Sequence, residues 1–184
     1  MIKLKDLLFE TAKLTPYQIF SPGTGGKGMG NFKFDPSRIP KGKLDVSSVV
    51  QYGGDCHNKP RGVFWTSSYR EKTKDTAWSD FKKNRFPDWR TGMGAVFELK
   101  SGAKILKIRS HSDYMKIQKK FPLDASNKCG AGDMYMDWGK LSKKYDGFQL
   151  AGSTDSIPML GQWDVESTAW FNMKKLKFVG TTKV

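Results

Sequence analysis

The apolar stretches of this chain are short, and each is stopped by glycine, proline or clustered charge. "RGVFWTSS" (61–68), "DGFQLAG" (146–152) and "KKLKFVG" (174–180) each have the length and β-branched or aromatic content of a single strand. "LDVSSVVQYGG" (44–54) is a β-branched run ending in paired glycines, and "GAVFELKSGAKILKI" (94–108) divides at Ser101-Gly102 into two strands with a hairpin-type turn. Helical composition falls between them. "KDTAWSDFKKNRF" (74–86) sets Ala77, Trp78, Phe81 and Arg85 on one side. "SHSDYMKIQKKF" (110–121) can be capped by Ser110 or Ser112, and "MDWGKLSKKY" (136–145) predicts a further short helix. Without an internal repeat or a regular βαβ rhythm, this mixture predicts an α+β fold.

The N-terminal part reads differently. Leu4, Leu7, Leu8, Ala12 and Leu14 predict a short amphipathic helix over 2–14, limited by Pro16. "SPGTGGKGMGNFKFDPSRIPKGK" (21–43) has the composition of a flexible tether. Residues 1–43 are therefore expected as an appendage and 44–184 as the compact domain; 184 residues suit one domain with an extension.

Lys and Arg number 32 against 18 Asp and Glu, a net charge of +14, which favours a polyanionic partner such as DNA, RNA or an acidic surface. The lysines (72/74, 82/83, 116/119/120, 140/143/144, 174/175/177) are spread over many elements. They predict a general positive field suited to non-specific DNA contact, not one groove that reads sequence. Cys56 and Cys129 are too few for a disulfide framework, which favours a reducing compartment. No apolar run approaches a membrane span, and Lys3, Lys5, Asp6 and Glu10 interrupt any signal-peptide core. The expectation is a soluble intracellular protein with no membrane partner.

Two clusters invite chemistry and do not carry it. Gly23–Gly30 lacks the Ser or Thr that a Walker loop places after its Gly-Lys, since Gly28 follows Lys27, and its flanks are proline-rich. Asp55-Cys56-His57 has no second Cys/His pair at ligand spacing, because Cys129 and His111 stand apart, so no metal site is expected. "GQWDVESTAWFN" (161–172) is more informative. As an extended strand it puts Trp163, Val165, Ser167, Ala169 and Phe171 on one face, and Asp164, Glu166, Thr168 and Trp170 on the other. The carboxylates then lie about 7 Å apart along the strand. Lysine pairing and a catalytic role both account for them at this point.

The order of these pieces resembles the ADP-ribosyltransferase fold. "RGVFWTSS" before a helix resembles that family's Ser-Thr-Ser strand, and "GAVFELKSGAKILKI" its hairpin strand. "DWGKLSKKYDGFQLAG" resembles its helix and strand with a Tyr-Asp-Gly turn, and "WDVESTAWFNMKKLKFVG" its catalytic-glutamate strand and closing strand. The resemblance spans about residues 44–180 and implies a split β-sheet core that uses NAD as substrate. Glu166 matches the catalytic glutamate, which holds the 2′-hydroxyl of the nicotinamide ribose and stabilises an oxocarbenium-like transition state. Asp164 matches the preceding acidic position, where arginine-modifying members have Glu. Thr66, Ser67 and Ser68 match the element that braces the glutamate and lines the NAD pocket, while Trp65 or Tyr69 would stack on nicotinamide. The family's first strand carries Arg or His; "VVQYGG" offers Gln51, Tyr52 and Gly53, with His57 or Arg61 as later substitutes.

"MIKLKDLLFE" also resembles the head-targeting propeptides of internal proteins of large tailed phages, with Leu8-Phe9-Glu10 at the cleavage pattern (propeptide 1–10). The combined resemblance implies a phage-encoded mono-ADP-ribosyltransferase acting on a host protein or nucleic acid. It would work in the host cytoplasm after packaging in the virion head. A basic internal or nucleic-acid-binding protein that keeps the fold without catalysis, and an NAD glycohydrolase, are the alternatives.

Overall fold

The computed structural model describes residues 17–20, 35–48, 58–70, 72–73, 75–85, 93–123, 135–151, 157–163 and 165–183. In chain order the strands are β1 (Tyr17–Phe20), β2 (Ser47–Ser48), β3 (Pro60–Arg61), β4 (Phe64–Ser68), β5 (Met93–Leu99), β6 (Ile105–Ile108), β7 (Gly147–Leu150), β8 (Ser167–Trp170) and β9 (Leu176–Lys183). The α-helices are α1 (Ala77–Arg85), α2 (His111–Gln118) and α3 (Trp138–Lys144), with single 3-10 turns at Pro36–Arg38, Pro158–Trp163 and Met173–Lys175. Helices and strands are mixed, as an α+β chain requires.

Seven strands form one sheet in the order β6-β7-β8-β4-β1-β5-β9, and β2 and β3 pair separately as a small ribbon. Within the large sheet only β6 and β7 run parallel. Opposite residues share a face, so the registers Phe64↔Trp170, Thr66↔Thr168, Gly147↔Trp170 and Gln149↔Thr168 align two rows across β4, β8 and β7. The other face carries Trp65, Ala169, Phe148 and Leu150, with Leu106 and Ile108 of β6. It packs on Tyr114 and Ile117 of α2 and on Trp138 and Leu141 of α3 to form the larger core. Phe64 and Trp170 pack on the first face with Ala95, Phe97, Met173 and Leu176.

Local chemistry explains the helix starts. The Ser110 hydroxyl accepts from the Asp113 N–H at 3.2 Å, which selects Ser110 over Ser112 as the cap of α2. The Asp137 carboxylate accepts from the Lys140 N–H at 2.8 Å, and Lys143 and Lys144 fall in the last turn of α3, where the helix dipole favours cations. Thr76 and Ser79 exchange backbone-to-hydroxyl bonds of 2.9 and 3.0 Å at the start of α1.

Tyr145-Asp146-Gly147 ties three strands at one end. The Asp146 carboxylate accepts from the Lys104 N–H at 2.9 Å and the Asn172 side chain at 2.7 Å. Its backbone N–H donates to Lys104, and its carbonyl accepts from Phe171. A Cβ on Gly147 would lie 3.2 Å from the Ala169 carbonyl and 3.3 Å from the Trp170 ring, so the indole lies directly against the glycine backbone.

Four expectations change. Tyr17–Phe20, inside the segment expected as an appendage, is the strand between β4 and β5, and Lys43 bridges to Asn172. The compact structure therefore reaches outside 44–184. Of 44–54, only Ser47–Ser48 is a described strand, and it belongs to the small ribbon. The two strands around Ser101-Gly102 form no hairpin: β5 pairs with β1 and β9, while β6 pairs with β7 on the opposite side of the sheet. Both strands were recognisable, but a type of turn does not choose a partner. Finally, 161–172 is a strand only over Ser167–Trp170, because Pro158–Trp163 turns to bury Leu160 and Trp163. The helix expected over 2–14 and the glycine cluster at 23–30 lie outside the described residues.

Two predictions follow from these contacts. Gly62 has φ +69°, and a Cβ there would sit 2.0 Å from the Asp45 carbonyl oxygen, so Gly62→Ala is expected to destabilise by about 3 kcal/mol in urea unfolding. Tyr114 is fully buried and accepts a hydrogen bond from the Asn58 amide; burial pushes its hydroxyl up to about 12 from 10.0. The folded state then holds this proton more tightly than the unfolded chain. Its contribution is complete below pH 10 and is lost as pH rises toward 12, an alkaline loss of roughly 2–3 kcal/mol. Tyr114→Phe should flatten that limb of the stability curve.

Candidate active site

Glu166 stands just before β8, half-buried, where the turn after Trp163 gives way to the strand. The pairing of β8 with β4 brings it to Ser68, and the pairing with β7 brings it to Gln149. The Ser68 hydroxyl donates to Glu166 Oε1 at 2.9 Å, and the Ser68 N–H approaches Oε2 at 3.3 Å. The Gln149 amide nitrogen donates to Oε1 at 2.9 Å and to the Ser68 hydroxyl at 3.1 Å. Three side chains thus close a ring of hydrogen bonds. Ser67 holds the backbone, its hydroxyl donating to the Glu166 carbonyl at 3.2 Å.

The next row inward is also polar. Thr66 Oγ1 accepts from the Trp170 indole N–H at 2.7 Å. Thr168 Oγ1 and Gln149 Oε1 are buried with no hydrogen-bond partner among the described residues. Their residues are only 0% and 2% exposed. A buried polar atom without a partner is a stability cost unless a ligand or water satisfies it.

The structure gathers some of the expected site residues and separates others. Ser67 and Ser68 meet Glu166, and Thr66 joins the same strand pair through Trp170. Tyr69 follows Ser68 directly and is half-buried. Trp65 faces the opposite side: its ring lies 4.6 Å from Trp163, edge to face, with the Lys59 ammonium 5.0 Å above it. It is a core residue there and cannot stack on a nicotinamide held at Glu166. Arg61 is exposed on β3, beyond the end of β4 that is remote from Ser68. Gln51, Tyr52, Gly53, His57 and Asp164 lie outside the described residues.

No cation among the described residues pairs with Glu166. Among the described residues no cluster of three or more His, Cys, Asp or Glu is placed to hold a metal ion.

The strand that flanks Ser68 on the side away from β8 is β1, in the register Gln18↔Ser68 and Ile19↔Ser67. The strand beside Ser67 and Ser68 on that side therefore comes from "YQIF" and not from 44–54. Its β-type composition was visible, but four residues between Pro16 and a glycine-rich run give little periodicity to recognise. Gln149 was missed for a related reason. A lone polar residue between Phe148 and Leu150 gives no sign of which strand it faces.

Chemically, the site is a carboxylate aimed by uncharged donors. Among the described residues Oε1 accepts two bonds, whereas Oε2 receives only the long contact from Ser68 and keeps capacity for a donor arriving from outside. No protein-family model, curated protein or solved structure matches this chain, so the chemistry of this carboxylate is the ground on which a function must rest.

Proposed function

We propose that this protein is a mono-ADP-ribosyltransferase that moves ADP-ribose from NAD to a macromolecular acceptor, with Glu166 as the catalytic carboxylate. One observation carries the reading: Glu166 is fixed by Ser68 and Gln149 through neutral donors, with no cation among the described residues to cancel its charge. The order of sequence segments around it adds the resemblance to the ADP-ribosyltransferase fold.

The reaction breaks the bond between ribose C1′ and the nicotinamide nitrogen. The bonding pair leaves with nicotinamide, and positive charge develops on the ribose. A preorganised carboxylate stabilises that charge more in the transition state than in intact NAD. Glu166 Oε2 can accept the ribose 2′-hydroxyl while Oε1 stays anchored. A nucleophile of the acceptor then bonds to C1′ and gives up its proton. Asp164, in the acidic position of the family pattern, is the residue proposed to receive it. The acceptor is a host protein or nucleic acid, and the net charge of +14 would concentrate the enzyme on polyanions.

The test is incubation with labelled NAD and bacterial lysate, following both label on macromolecules and free nicotinamide. Transfer that falls at least about 100-fold in Glu166→Gln supports the reading. Nicotinamide release without labelling assigns an NAD glycohydrolase. Neither signal, together with salt-dependent DNA binding, assigns a non-catalytic nucleic-acid-binding protein.

A further inference from the structure

The Gln149 amide is oriented by chemistry. A carboxylate only accepts hydrogen bonds, so the side of the amide facing Glu166 must be the NH2 group. The amide nitrogen donates to Glu166 Oε1 at 2.9 Å and to the Ser68 hydroxyl at 3.1 Å, while that hydroxyl spends its own proton on the same Oε1 at 2.9 Å. The three side chains are bonded to one another, and rotating the carboxylate would break two bonds together.

This arrangement carries a cost on its far side. With the NH2 group turned to the site, Gln149 Oε1 is buried with no partner among the described residues, and the same holds for Oγ1 of Thr168, its register partner. Packing alone would favour Met or Leu at 149 and Val at 168. Polar groups kept where they weaken the fold mark positions held for function.

We infer that Gln149 is a positioning residue: it locks Glu166 Oε1 and Ser68 into one geometry, so that Oε2 alone is presented to the substrate. The role rests on the ADP-ribosyltransferase reading of Glu166 and deepens it. Gln149 touches no reacting atom. It acts through Glu166, so its loss lets the carboxylate swing without removing it.

The test compares wild type, Gln149→Met and Gln149→Glu by nicotinamide release at varied NAD and by urea unfolding. Gln149→Met is expected to lower kcat by about 10- to 100-fold, as a catalytic group misplaced by about 1 Å does, with KM for NAD within about twofold. Its unfolding midpoint should be unchanged or higher. Gln149→Glu, which faces one carboxylate with another, should be the slower of the two. A kcat equal to wild type overturns the inference, as does a fall in rate matched by a lower unfolding midpoint.

Should wild type release no nicotinamide and transfer no label, the functional reading fails by itself, and the side-chain amide of Gln149 decides the positioning role by NMR. Two resolved, slowly exchanging protons that shift in Ser68→Ala uphold the lock on Glu166. Amide protons that exchange rapidly with solvent and are indifferent to Ser68→Ala overturn it.

Discussion

The structure depends on β8 being enclosed on every side. Its four residues are buried without exception, β7 and β4 pair with both edges, and a separate core covers each face. A strand so placed has no freedom of register, because a slip by one residue would turn Trp170 and Thr168 into the face that holds Ala169. The indole bond from Trp170 to Thr66 fixes the same register with a polar contact inside an apolar layer. Glu166 inherits that precision. It stands one residue before the strand, close enough to be aimed and far enough out to meet solvent.

Below that position the sheet face grades from apolar to charged. Phe64, Trp170 and Gly147 form the apolar row, Thr66, Thr168 and Gln149 the neutral polar row, and Ser68 with Glu166 the mouth. The Gly147 backbone lets the indole lie flat at the base, and each step outward raises the polarity of the environment. At the top of such a gradient the orientation of the carboxylate is set by groups that carry no charge.

What could be read beforehand follows from how local each cause is. Ser110 and Asp137 act within their own first turns, so the starts of α2 and α3 were legible from a few residues. Ser67, Ser68 and Glu166 were legible only through the order of several motifs. The composition of β5 and β6 marked two strands correctly, but their partners are chosen by the whole sheet, and the turn at Ser101-Gly102 joins strands that never pair. The early stop of the 161–172 strand came from Leu160 and Trp163, which find a better place in the core than on an extended edge. Gln149 was invisible for the same physical reason: its partners arrive from strands distant in the chain.

The placement of β1 has a consequence for how the chain assembles. This strand precedes both of its partners by dozens of residues, yet it pairs with β4 and β5, and β5 in turn pairs with β9, still further along the chain. Sheet closure therefore depends on distant contacts, which slows folding and prolongs the exposure of unpaired strand edges. A strand inside a segment that reads as an appendage is the piece that joins the two halves of the sheet, and the nascent protein must keep it available until β5 has been made.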